Sequence, residues 1–336
     1  MIKQLKFMIN FKLYLSLLFS IALLISCGGG GGGGGSSSPS SSSSPSSPSS
    51  PSTPTFSTST IDSTDNVGWN ADIAIGPTGS IHTSYYDSTN RTLKYAYNNG
   101  FSWSNEIVDS SADVGDFSSI AVESNGTVHI SYYDWDNGTL KYATGASGAF
   151  TIETIDNSAD MGMYSSIAVQ SDGTVHISYY NLDNGDLMYA TGTSGVFNTE
   201  IVDSSADFNG YSSIAVESDG TFHISYYDWD NGTLKYATGT SGAFTTESID
   251  SSANVGDYSS IAVESDGTVH IGYHDIDNDT LKYASGASGL FNTITVDSST
   301  TVGEYSSIAV EVDGTVHISY YDYTDPTSGH LKYAVR

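Results

Sequence analysis

Apolar and polar residues alternate along Thr127–Asp134 (TVHISYYD), with Val128, Ile130 and Tyr132 on one side of the chain. A period of two marks a β-strand with one face buried. The pattern returns in five more places. Its histidine recurs every 47 residues, as His82, His129, His176, His223, His270 and His317. Repetition this strict sets the architecture before any single residue does. One unit reads as four strands. Ser118–Val122 is the first and turns at Glu123–Gly126. Thr127–Asp134 is the second, and Asn137-Gly138 favours a tight type I′ hairpin after it. Thr139–Thr144 is the third and Phe150–Asp156 the fourth. No helical period occurs after residue 26.

Four short strands in about 47 residues match the size and content of a propeller blade. The prediction is an all-β, six-bladed β-propeller with four strands per blade over residues 56–336. The ends of the array add a closure. Phe56–Asp62 (FSTSTID) has the signature of a fourth strand, because Phe56, Trp103, Phe150, Phe197, Phe244 and Phe291 share the 47-residue step. Asp62, Asp109, Asp156, Asp203, Asp250 and Asp297 share it too. The chain ends after a third strand, Leu331–Arg336. The N-terminal strand is therefore expected to complete the sixth blade and remove the free sheet edges.

Ahead of the array, Lys3, Lys6 and Lys12 precede an apolar run, Leu13–Ile25, that is too short to span a bilayer and fits a signal-peptide core. The run ends Leu24-Ile25-Ser26-Cys27, which resembles a bacterial lipobox. The resemblance implies that residues 1–26 are removed and that Cys27, the sole cysteine, is lipidated. Gly28 in place of Asp after it implies the outer membrane, facing the periplasm or the medium. Residues 27–55, glycine and then Ser/Pro/Thr, are a tether that cannot bury a core.

The formal charge of −28 becomes about −31 from Cys27 onward, since three lysines precede it. Such a surface repels nucleic acid and anionic lipid and attracts cations or basic partners. In an up-and-down blade, the loops before strand one and after strand two share a face. That face gathers Asp109, Asp113, Asp116, Asp134 and Asp136 with their equivalents, including Asp228 and Asp230. Asp134-Trp135-Asp136-Asn137-Gly138 begins like an EF-hand loop, but glycine falls at position five and no Glu follows at twelve. Asp134, Asp136, Asp228 and Asp230 are the candidate calcium ligands, and calcium is the one cofactor the pattern admits. The plainer expectation is a hairpin turn whose Asp134 pairs with Lys141. Trp135, Trp229 and Tyr323 beside Asp136 and Asp230 are the candidate ligand-binding residues, as aromatic rings next to carboxylates suit sugar stacking. A protein of the cell envelope is the alternative partner. One histidine per blade makes a ring rather than a metal cluster. The expectation is buried histidines hydrogen-bonded to Ser, Tyr or backbone.

The run DGTVHISYYDWDNGTLKYA resembles the repeats of the sialidase-like (BNR-type) propeller superfamily, on all six repeats. The resemblance implies a carbohydrate-related role. It does not extend to sialidase catalysis, which uses three arginines where the chain beyond Cys27 has only Arg91 and Arg336. Some superfamily members are polysaccharide lyases with His and Tyr in the site, so an enzyme alternative, lyase or glycoside hydrolase, stands beside the binding reading. Its residues would lie where the repeat departs from itself. His274 replaces a tyrosine in blade five, and the last loop, Tyr323–His330, is longer. His274 is the base candidate and Tyr321 the acid candidate, with His330 nearby.

Overall fold

The structure is a computed structural model that describes residues 59–336 apart from 159, 206–210, 300 and 326–327. The leader, Cys27, the tether and Phe56 lie outside the described residues.

Blade one comprises β1 (Val67–Ile75), β2 (Ile81–Asp87), β3 (Thr92–Asn98) and β4 (Trp103–Asp109). Blade two comprises β5 (Val114–Val122), β6 (Val128–Asp134), β7 (Thr139–Ala146) and β8 (Ala149–Asp156). Each blade is an antiparallel sheet in sequence order. Three further four-stranded sheets follow, and the sixth has three strands, Val302–Val310, Val316–Asp325 and Ser328–Val335. The chain is thus a six-bladed all-β propeller with mostly four strands per blade, as the repeat predicts. The first strands are innermost and line the axis.

Apolar packing fills the junctions between blades. Ile120 and Val128 of blade two meet Leu93 and Tyr95 of blade one, and the same set recurs at later junctions. Close approach is needed there. Gly115 takes φ +107°, and a Cβ on it would sit 2.5 Å from the Leu93 Cα.

A polar staple joins the blades at their outer part. Asp109, ending β4, accepts Lys141 Nζ at 2.5 Å and the Tyr132 hydroxyl at 2.8 Å from blade two. Asp203, Asp250 and Asp297 repeat it with Lys235, Lys282 and Lys332. Blade three has Met188 in the lysine position, and Asp156 keeps the Tyr179 hydroxyl. The expected pairing of Lys141 with Asp134 is present, but as the longer of two contacts. Lys141 lies 3.9 Å from Asp134 and much closer to the aspartate of the preceding blade. Sequence proximity favoured the turn, but the third strand carries Lys141 toward the neighbouring sheet.

Five of the six repeat histidines are buried as expected and His317 is half-buried, with one unforeseen partner. His129 Nε2 pairs with Glu123 at 2.7 Å, while Nδ1 faces the Tyr142 hydroxyl. Gln170 replaces the glutamate beside His176, and Ser80 replaces it beside His82.

The junction between blades six and one differs from the rest. Ile73 is 63 % exposed although its counterpart Ile120 is 5 % exposed. Leu331 is 82 % exposed although Leu93 is fully buried. Residues 59–62 form no strand, yet Asp62 takes the staple position, bound to Lys94 and to the Tyr85 hydroxyl. Closure by residues 56–62 stays a proposal, tested below.

Candidate functional site

The innermost strands carry a feature that alternation alone does not reveal. In blade two the pairing of β5 with β6 skips between Asp116 and Ser119. The same skip occurs between Asp257 and Ser260 and between Glu304 and Ser307. A bulge of this kind re-aims a side chain. Phe117, Tyr164, Tyr258 and Tyr305 sit there with φ of 50–51°, and Asn70 holds the position in blade one at 47°. The left-handed region is costly for bulky residues, at about 1–3 kcal/mol each. The strain turns the rings toward the axis.

These rings form an arc. Ring centroids are 4.4 Å apart for Phe117–Tyr164, 4.8 Å for Tyr164–Tyr211, 4.8 Å for Tyr211–Tyr258 and 4.3 Å for Tyr258–Tyr305. Behind them lie serine pairs such as Ser165-Ser166 and Ser259-Ser260, and all six blades enclose an axial cavity of about 490 Å³. Tyr305 is 58 % exposed. A smaller cavity of about 380 Å³ lies between blades one and two, beside His82, Tyr95 and Tyr97.

Carboxylates flank the arc. Burial pushes the Asp257 carboxyl up to about 6, with Glu304 adding to the rise and the Tyr258 N–H opposing it. Burial also raises Asp116, against hydrogen bonds from Trp135 Nε1, Asn70 and the Phe117 N–H. The phenols of Tyr164 and Tyr211 are raised by burial and by the nearby Asp116 and Asp257 carboxylates, so they stay neutral donors.

Two of the three sequence-predicted aromatics join the arc. Trp135 stands edge-on to Tyr133 at 5.0 Å and tilts onto Phe117 at 6.2 Å. At the other end, Tyr321 reaches Tyr305 at 6.4 Å and stacks on Tyr323 at 5.8 Å. Trp229 lies apart from the arc, edge-on to Tyr227 and 54 % exposed. Asp136 is exposed, with one oxygen accepting the Asp113 N–H at 3.1 Å, and Asp230 is exposed on the matching loop. The Asp113 and Asp136 loops therefore do share a face.

Asp134 and Asp228 are buried under their turns. Asp134 accepts the backbone and side-chain N–H groups of Asn137, and Asp228 those of Asn231. Among the described residues, no three of His, Cys, Asp and Glu gather around a common point that could hold a metal ion.

The enzyme candidates separate into two groups. His274 is 2 % exposed, and neither ring nitrogen has a hydrogen-bond partner. Its Nε2 lies 3.8 Å from Asp279 Oδ1, which also accepts the Tyr323 hydroxyl at 3.3 Å. Burial lowers the pKa of His274, although Asp279 and Asp275 oppose the shift, so it is neutral at pH 7. His330 is exposed and pairs in register with Asp322, the residue before Tyr323.

No known family pattern and no curated protein matches the sequence. Among solved structures, the chain is similar to a lectin of Aleuria aurantia in complex with Fucα1-6GlcNAc, with TM-score 0.53 and 12 % identity. The match covers 79 % of this chain and 94 % of the lectin. It is similar to an α-L-arabinofuranosidase of Fusarium graminearum, with TM-score 0.53 and 12 % identity over 80 % of this chain and 92 % of the enzyme. A Hadza microbial sialidase matches with TM-score 0.52 and 12 % identity over 80 % of this chain, which spans 65 % of the sialidase. At these identities the likeness is one of fold.

Proposed function

We propose that this chain is a glycan-binding propeller, non-enzymatic and held at the cell envelope by a lipid on Cys27. The observation that carries the reading is the aromatic arc around the axial cavity. It runs without a break from Trp135 through Tyr164, Tyr258 and Tyr305 to Tyr323. Sugar rings offer apolar C–H faces to aromatic rings and hydroxyls to flanking acceptors. Tyrosine hydroxyls, serine pairs and carboxylates supply the second need beside the first. Sharing a fold with a fucose-binding lectin supports the reading without specifying the sugar. Trp229 with Asp230 on the rim is a second contact for a longer chain.

The test is a screen of the full chain against neutral, acidic and amino glycans, with and without calcium. The expected result is at least one hit that weakens about tenfold in Tyr305→Ala, on the scale of one lost aromatic contact. A blank in every class would end the glycan reading and leave an envelope protein as the partner. The enzyme alternative rests on the unpartnered His274 beside Asp279 and Tyr323. It requires that a glycan hit be cleaved and that His274→Gln abolish the cleavage.

A further inference from the structure

The two sides of the axial arc are not alike. On the blade-two side, Asp116 is satisfied by Trp135 Nε1, Asn70 Nδ2 and the Phe117 N–H. On the blade-five side, Asp257 accepts the Tyr258 N–H alone among the described residues. It lies close enough to Glu304 for that carboxylate to add to its cost of ionising. Beside these acids, Tyr211, Tyr258 and Tyr305 form a three-sided group. Tyr211 and Tyr258 are 4.8 Å apart, Tyr258 and Tyr305 4.3 Å, and Tyr211 and Tyr305 6.5 Å at 74° to each other.

Among the described residues, no lysine or arginine lines the axial cavity. The described lysines are held elsewhere, each on the aspartate of a preceding fourth strand or, for Lys94, on Asp62. Those staples show the chemistry in miniature. Each lysine Nζ also stands over a tyrosine face, at 5.7–5.8 Å from the centroid. At the axis tyrosine rings line the cavity, and the Asp257 carboxylate stands close enough to Tyr164, Tyr211 and Tyr258 to act on each of them.

We propose that the Tyr211–Tyr258–Tyr305 group, with Asp257 and Glu304, binds an organic cation of the substituted-ammonium class. In the glycan reading, on which this rests, it is the amine of an amino sugar. The packed rings present quadrupoles that stabilise a positive group at the cavity, where Tyr305 is the exposed member, and the nearby carboxylates supply net charge. An anionic or uronic ligand would bring a like charge against both acids with no cationic side chain lining the cavity among the described residues, so the site selects against it.

The test uses two probes of equal shape. Choline and its uncharged isostere, 3,3-dimethylbutan-1-ol, are titrated into the full chain, and binding is followed by the upfield shift that ring currents impose on their methyl protons. The expected result is choline binding at least about tenfold tighter than the isostere, and more weakly at high salt. Asp257→Asn and Tyr258→Leu should each weaken choline about tenfold, whereas Tyr258→Phe keeps the ring face and the affinity. Thermal melts confirm that each variant is folded. Equal binding of the two probes, no choline binding, or an unaffected Asp257→Asn would overturn the proposal. A glucosamine tetramer and its N-acetylated form are then compared. Equal affinity for both would remove the cation and leave the glycan reading intact. Binding of choline with no glycan bound in any class would keep the cation site and remove the glycan reading.

Discussion

Asp257→Asn should make the protein more stable at neutral pH. The folded state holds this carboxyl at about 6 against an ordinary 3.8, chiefly through burial. Below pH 3.8 the group is protonated in both states and imposes no cost. As pH rises past 3.8 the unfolded chain ionises freely while the folded one resists, and above about 6 the full penalty is in place. The difference corresponds to about 3 kcal/mol at most, and partial solvent access reduces it to about 1–3 kcal/mol. Asparagine fills the same space and still accepts the Tyr258 N–H. At about 2–4 °C per kcal/mol for a domain of this size, the variant should melt roughly 2–12 °C higher at pH 7.5. It should melt with the wild type at pH 3.5. The assay is a pair of thermal melts at the two pH values. An unchanged or lower melting temperature at pH 7.5, or an equal gain at both, would refute the reasoning. A carboxylate kept at such a cost fits a site where function outweighs stability.

Other expectations follow from the same geometry. Lys282→Met removes one partner of a buried pair and should cost about 3 kcal/mol at pH 7 by urea unfolding. Burial alone would raise Asp250, but the hydrogen bonds from Lys282, Ser252 and Tyr273 together outweigh it and bring it down to about 2, with Lys282 the largest of them. The stability from that pair is thus present above 3.8 and fades toward pH 2, so the deficit of Lys282→Met should shrink there; a deficit independent of pH would contradict the staple. Met188→Lys should restore the staple beside Asp156 and add about 1 kcal/mol, with a loss counting against it. Deleting residues 56–62 should lower the melting temperature, through loss of the Asp62 bonds to Lys94 and Tyr85 and of the half-buried Ile61, at about 1 kcal/mol for the latter. An unchanged melt would dismiss ring closure by this segment.

The fold was legible because its signals are local and repeated. Alternation in TVHISYYD, the Asn-Gly turns and the 47-residue step place every strand of blade two within four residues of its observed bounds. The site was less legible. Phe117, Tyr164, Tyr211, Tyr258 and Tyr305 also keep the 47-residue step, directly ahead of five Ser-Ser-Ile-Ala-Val runs. A reading by alternation starts the strand at Ser118 and leaves Phe117 in a loop, whereas β5 begins at Val114. Only the left-handed backbone and the skipped pairing turn Phe117 to the axis, and neither has a period in the sequence. The acidic face was overread for the opposite reason. Asp109 and Asp134 look like surface charge, but each is buried beneath donors, Lys141 for one and Asn137 for the other. Trp135 and Trp229 are identical in local sequence, yet Trp135 is tied to Asp116 and Trp229 stands exposed.

The most direct measurement is a crystal structure of the chain with whichever glycan the screen returns. The account predicts electron density for a sugar on the axis, one ring face against Tyr258 or Tyr305 and a polar substituent toward Asp257. A sugar held instead beside His82 between blades one and two, with the axial cavity holding only water, would contradict it.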